Sequence, residues 1–373
     1  MRTKLLFASA VVATLGIPRI AGAVNPLCSS LPDPIVVAGS SAVQPFIKEM
    51  GKVLAGQGAP TTLIYQKQGS CTGVTAVVND TTPAGACASG SCITGTALYY
   101  DTAGTQLACD LSPTGTHVDV GMSDVWSDTC TGSPPPTGVK DFTGPVEAML
   151  FVVPKASQQV AITMEEAFFA FGYGASGMAK PWTTEAQLMV RNALSGTQHI
   201  IAYEIQVPAG RWKGVDKGGS QQVADAVAQS TSPEATIGIL GADFYDQHRD
   251  TLTALAFQAY HQRGAFYADS TATSFDKRNL RNGHYLNWGY LHMITHVDGT
   301  GVPNTAASKR FVDWVTGNTT STAAPFDITN ITILAHLVPP CAMKVKRSSE
   351  GGSIAVSTPA TDCSTAYEAA VAH

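Results

Sequence analysis

The sequence predicts an α/β fold of two lobes, with mainly parallel sheets flanked by helices and a ligand cleft between the lobes. Three observations carry this. Short apolar runs bounded by glycine alternate with helical periodicities along the chain, the pattern of parallel βα units. The 373 residues exceed what a single hydrophobic core organises, even after removal of an N-terminal leader. Three strand-to-helix junctions are built from Gly, Ser and Thr, and in open α/β sheets ligands bind beyond the carboxyl ends of strands.

At the N-terminus, Arg2 and Lys4 precede an apolar run from Leu5 to Leu15, and Ala21-Gly22-Ala23 follows. A charged start, a short apolar core and a small-x-small ending describe a secretory signal peptide. Pro18 and Arg19 cut the run well short of the roughly 20 residues that a membrane span needs. The expectation is residues 1–23 as signal peptide, a mature chain from about Val24, and a periplasmic or extracellular location. The eight cysteines (Cys28, Cys71, Cys87, Cys92, Cys109, Cys130, Cys341 and Cys363) all lie beyond that point. An even number in an exported chain favours disulfides, but connectivity cannot be chosen from sequence alone. Only the sequence-local pairs, Cys87 with Cys92 and Cys341 with Cys363, are predicted. No cysteine pair has C-x-x-C spacing, and His292 and His296 fall on a predicted strand, too far apart for easy joint ligation. No metal or cofactor is predicted.

The elements then follow in order. Pro34-Ile35-Val36-Val37-Ala38, ended by Gly39, reads as a buried strand. Val43, Phe46, Ile47, Met50, Val53 and Leu54 recur at helical spacing, with Ser40 or Ser41 as N-cap and Pro45 tolerable only in the first turn. Thr62 to Lys67 is a second strand, followed by Gly69-Ser70-Cys71-Thr72-Gly73 and a helical Val74 to Val78. Residues 80–116, rich in Gly, Ser, Thr and Cys, read as a disulfide-tied loop excursion. His117 to Gly121 reads as a strand delivering Met122-Ser123-Asp124, Ser133-Pro134-Pro135-Pro136 as a loop, and Val146 to Val153 as a strand buried on both faces. Thr163 to Phe171 reads as a helix, and Thr184 to Leu194 as a helix or turn entering Ser195-Gly196-Thr197. Gln221 to Ala228 (helix), Ile237 to Leu240 (strand), Tyr285 to Ile294 (strand) and Ala306 to Thr316 (amphipathic helix) complete the pattern, with no internal repeat.

Charged residues make up 14% of the chain, against roughly 25% for an ordinary soluble domain. The net charge of −5 argues against nucleic acid, which calls for basic surfaces. It leaves room for a small anion held by dipoles and one or two local cations. Gly39-Ser40-Ser41-Ala42, Gly69-Ser70-Cys71-Thr72-Gly73 and Ser195-Gly196-Thr197 each place small or hydroxyl residues before a helix, whose N-terminus offers unpaired N–H groups and about half a positive charge. Arg191 stands four residues before Ser195, and together these segments point to a shared anion cleft.

These segments carry a resemblance. Gly39-Ser40-Ser41-Ala42-Val43-Gln44-Pro45-Phe46 resembles the first anion-binding loop and helix of the periplasmic phosphate-binding proteins that feed ABC importers. Gly69 to Val74 is similar to their second Gly/Ser loop, although Cys71 stands where they have Gly or Ser. Asp119 to Val125 resembles the segment with their ligand-contacting Asp, and Arg191 with Ser195-Gly196-Thr197 resembles their Arg-then-Ser-Gly-Thr element. Ala235 to Ile239, Asn282 to Leu286 and Phe311 to Gly317 resemble later segments in the same order, so the likeness runs from about 34 to 317. The first loop has Ser40 and Ser41 where the family often has Thr, and Ala193-Leu194 stands where it tends to be polar and Gly-rich.

The resemblance implies a type II periplasmic-binding-protein-like fold, with lobe one at 24–150 and 284–373 and lobe two at 151–283. It implies a monomer that captures inorganic phosphate or a related tetrahedral oxyanion, with an ABC importer as partner and no catalysis. The implied ligand residues are Ser40, Ser41, Ala42, Ser70, Asp124, Arg191, Ser195, Gly196 and Thr197. Asp124 is the most informative, because a carboxylate in an anion site makes sense only if the ligand keeps a proton to donate; Asp128 nearby is a rival for that role. Two other readings stay open: a receptor for another oxyanion or an organic phosphate, and a hydrolase or phosphatase on the same fold. The second needs a nucleophile with a base or a metal, and no G-x-S-x-G elbow or metal-type His pair is present.

Overall fold

The computed structural model describes residues 25–81, 87, 91–318 and 323–371, so the predicted signal segment 1–23 lies outside the described residues. The strands are β1 (Pro34–Gly39), β2 (Thr62–Lys67), β3 (Thr96–Tyr100), β4 (Gln106–Asp110), β5 (Val120–Ser123), β6 (Val139–Pro154), β7 (Ala161–Thr163) and β8 (Leu188–Val190). They continue with β9 (Val215–Asp216), β10 (Ile237–Gly241), β11 (Leu252–Ala254), β12 (Ala256–Gln258), β13 (Trp288–His296), β14 (Val345–Lys346) and β15 (Ala355–Val356). The α-helices are α1 (Gln44–Ala55), α2 (Ser70–Val78), α3 (Ser127–Thr131), α4 (Met164–Tyr173), α5 (Gly196–Ile205) and α6 (Ser220–Ala228). Then come α7 (Ala242–Asp246), α8 (Arg278–Arg281), α9 (Ala306–Thr316), α10 (Ile328–Leu334) and α11 (Ser364–Ala370).

The main sheet runs β4-β3-β2-β1-β5-β13-β6-β10-β8-β9, with β11 added against β6. Pairing is parallel within each βα run: β1 with β2 and β5, and β8 with β10 and β9. Antiparallel strands frame these nuclei, namely the β3–β4 hairpin at one edge and β13 and β6 across the middle. The first half of β6 lies against β13, whereas Met149 to Val152 pairs with β10. That change of partner splits the sheet into two halves, each with its own apolar packing. Ile35, Val37, Phe46 and Tyr65 centre one core, and Phe151, Phe171, Ile239 and Phe257 another. Two α/β halves joined by crossing strands give the two-lobed class that the sequence predicts.

Three expectations are corrected. Residues 80–116 are not simply a loop, because β3 and β4 lie there. As an edge hairpin they bury little beyond Ala97, Tyr100 and Cys109, so their apolar signal is thin. Within Thr184 to Leu194 a short 3₁₀ turn leads into strand β8, whose Leu188, Met189 and Val190 are all buried. The strands expected from His117 and Tyr285 begin only at Val120 and Trp288.

All eight cysteines are paired, as Cys28–Cys109, Cys71–Cys130, Cys87–Cys92 and Cys341–Cys363. The two sequence-local pairs are the predicted ones. Cys71–Cys130 fastens the first turn of α2 to α3. The tail beyond Pro339 is packed in: Ala342, Met343, Val345 and Tyr367 join the core around Phe151. Arg347 donates to the carbonyls of Leu286 and Trp288, both at 3.1 Å, and reaches Glu204 of α5 at 3.3 Å.

Candidate functional site

The site forms where four helix N-termini meet at the carboxyl ends of the strands. β1 ends at Gly39 with φ 141°, and a Cβ there would lie 1.9 Å from the carbonyl oxygen of Met122, so only glycine lets β1 and β5 close together. Ser40 N–H then donates to that oxygen at 3.0 Å, and the buried Tyr65 hydroxyl donates to the Ser40 carbonyl. Ser41 and Ala42 follow, both buried, in the turn that opens α1. β2 leads to Gly69 (φ 114°) and to Ser70, the first residue of α2. Arg191 directly follows β8, and Ser195 caps α5 by accepting from Gln198 N–H at 3.4 Å.

These segments interlock across the cleft. Ser70 Oγ accepts from the backbone N–H of Asp124 and of Gly196, both at 3.2 Å, and donates to Asp124 Oδ2 at 3.2 Å. A Cβ on Gly196 would come within 2.4 Å of Ser70 Oγ and 2.8 Å of Asp124, so this approach also requires glycine. On the other side, Arg191 Nε donates to the Gly218 carbonyl at 2.7 Å, while its Nη atoms reach Ser220 Oγ at 3.3 Å and Ser41 Oγ at 3.1 Å. The Ser41 and Ser220 hydroxyls bond each other at 3.1 Å.

All nine predicted residues are therefore brought together, and all are buried. Arg191 is no surface arginine at a helix end: it is 4% exposed and follows a strand. Ser195 spends its hydroxyl on capping its own helix. Asp128, the rival to Asp124, sits exposed in the first turn of α3. Among the described residues, the buried Asp124 Oδ1 and Thr197 Oγ1 have no hydrogen-bond partner, which leaves an acceptor and a hydroxyl unspent.

The sequence reading missed Ser220, which opens α6 behind Gly218-Gly219. Its signal was available: Gly before Ser before a helix is the pattern used for Ser70. It also missed Glu147 of β6 and Asp243 of α7, two wholly buried carboxyls on either side of Gly241.

Burial pushes the Asp124 pKa upward, against the pull of the Ser40 hydroxyl, the Arg191 charge and Ser70. Burial lowers that of Arg191, and the Asp124 charge opposes the shift. Burial, reinforced by the mutual repulsion of Glu147, Asp243 and Asp124, drives the Glu147 pKa far up. Asp243, raised chiefly by burial, reaches about 8. Among the described residues no histidine or lysine bonds to the site serines, whereas the Ser70 hydroxyl donates to Asp124. Among the described residues the arrangement offers one buried guanidinium, the unpartnered Thr197 hydroxyl and one unpartnered Asp124 oxygen.

No protein-family model matches the sequence, and no curated protein matches it. In fold, the chain is similar to a protein from Clostridium perfringens described as a phosphate ABC transporter substrate-binding protein with bound phosphate. That likeness has TM-score 0.54 and 12% identity over 82% of this chain and 99% of the other. It is similar also to an ABC-type phosphate transport receptor from Vibrio cholerae, with TM-score 0.50 and 13% identity over 82% of this chain and 99% of that one.

Proposed function

We propose that this chain is an exported solute-binding protein that captures inorganic phosphate between two lobes, 24–150 with 284–373 and 151–283, and hands it to an ABC importer without chemical change. One observation carries the reading: buried Arg191 and buried Asp124 feel each other's charge, with Ser41 and Ser220 bonded to the first and Ser70 to the second where α1, α6 and α2 begin. The phosphate-transport proteins that share the fold support it, as do four disulfides, which suit an oxidising compartment. No described helix is long and apolar enough to cross a membrane.

Asp124 sets the choice of oxyanion. Phosphate near neutral pH keeps a proton that a carboxylate can accept, whereas sulfate would place an acceptor against an acceptor in a desolvated site. Calorimetry should show strong preference for phosphate over sulfate, and Asp124→Asn should narrow the gap because an amide can donate to a fully ionised anion. Because burial raises the Asp124 pKa, lowering the pH should move the wild type in the same direction, as a protonated carboxyl also donates. Equal affinity for the two anions in the wild type, or an unchanged ratio in Asp124→Asn, would remove this role from Asp124.

A further inference from the structure

We propose that the cleft accepts a phosphoryl compound with a second anionic group, pyrophosphate being the smallest, in which Lys67 and Lys217 at the mouth hold the group that the inner chamber does not. This rests on the oxyanion reading above. The two halves of the sheet each lead into a helix with a Lys-x-Gly-Ser segment: Lys67-Gln68-Gly69-Ser70 into α2, and Lys217-Gly218-Gly219-Ser220 into α6. Ser70 is enclosed with Asp124 and Gly196, whereas Ser220 lines the same cavity as the lysines. Both lysines line one cavity of about 400 Å³ at the mouth, together with Arg191, Ser41, Gln44 and Ser220. That space opens to solvent and exceeds what one orthophosphate fills.

Charge favours the same occupant. Among the described residues no carboxylate lies within ion-pair distance of Lys67, Lys217 or Arg191. Lys67 is half-buried and held in place, donating to Gln44 Oε1 at 2.7 Å. Burial pulls the Lys67 pKa down, a shift that a bound anion would reverse. Deeper in, Asp124 repels any negative charge beyond that of the first phosphoryl group. A second anionic group is therefore costly inside and favoured outside, where two ammonium groups lack counter-charges.

The test is calorimetry of inorganic phosphate and pyrophosphate at one ionic strength, on the wild type and on the double variant Lys67→Gln/Lys217→Gln. The wild type should bind pyrophosphate at least about 10-fold more tightly than phosphate, the scale of one added charge-assisted contact. The double variant should lose that advantage while its phosphate affinity changes less than about twofold. Pyrophosphate binding no tighter than phosphate in the wild type overturns the inference and leaves the phosphate reading intact. Parallel loss of both ligands in the variant also overturns it, since the lysines would then only concentrate anions near the cleft. If neither ligand binds the wild type, the oxyanion reading itself fails, and this inference with it.

Discussion

Replacing Arg191 by alanine should weaken phosphate binding by about 10- to 200-fold, since hydrogen bonds to a charged group are worth roughly 1.5–3 kcal/mol. The guanidinium is buried and held by Gly218, Ser220 and Ser41. Its Nε is spent on the Gly218 carbonyl, which aims both Nη atoms at the Ser41–Ser220 pair. Those two hydroxyls also bond each other, so an anion entering beside them meets donors already oriented. Arg191→Lys separates charge from geometry. A lysine keeps the positive charge but cannot hold the Gly218 carbonyl and still present a two-pronged fork, so it should recover only part of the loss. Circular dichroism should show the native fold in both variants, because Gln198 Oε1 holds the Arg191 backbone N–H, at 2.9 Å, independently of the side chain. A dissociation constant unchanged in Arg191→Ala would take Arg191 out of the site.

The chamber was more legible in the sequence than the sheet that supports it, and the reason is physical. A Gly-Ser segment after an apolar run and before a helical period marks a place where backbone donors are left unpaired, and this is local information. Ser40, Ser70, Ser195 and Arg191 could therefore be placed without knowing which strands pair. The β3–β4 hairpin gave no such mark, since an edge strand buries few of its side chains, and Thr96 to Tyr100 follows a Gly- and Cys-rich stretch. β8 is three residues long, too short for any period to show. Cys28–Cys109 and Cys71–Cys130 span 81 and 59 residues, and only the folded sheet brings their ends together. Glu147 was hidden for the opposite reason. It sits within the apolar run from Val146 to Val153, where a lone carboxyl reads as an interruption, and its partner Asp243 is nearly a hundred positions away.

Glu147→Gln should make the protein more stable than wild type at pH 8 and remove much of its loss of stability between pH 5 and 9. Glu147 is 1% exposed and Asp243 is fully buried, and among the described residues no donor other than the facing carboxyl is set against either oxygen of Glu147. Two facing carboxyls can bond each other only while one keeps its proton. Burial raises both pKa values, with Asp243 at about 8 and Glu147 pushed far up. The folded state therefore holds protons that the unfolded chain releases near pH 4. Stability from such groups is complete below the unfolded carboxyl range and is lost as pH rises through the folded values. The loss is about 1.4 kcal/mol per pH unit for each proton retained. A glutamine at 147 supplies the donor permanently, so Asp243 can ionise as an acceptor without facing a second charge. The same proton matters to the cleft, because ionised Glu147 and Asp243 would add their repulsion to that of Asp124 against an incoming anion. Phosphate affinity should accordingly fall above about pH 8 in the wild type and persist to higher pH in Glu147→Gln. Thermal melts and calorimetry from pH 5 to 9 would decide it. Parallel stability profiles for the two proteins would show that the pair carries no shared proton.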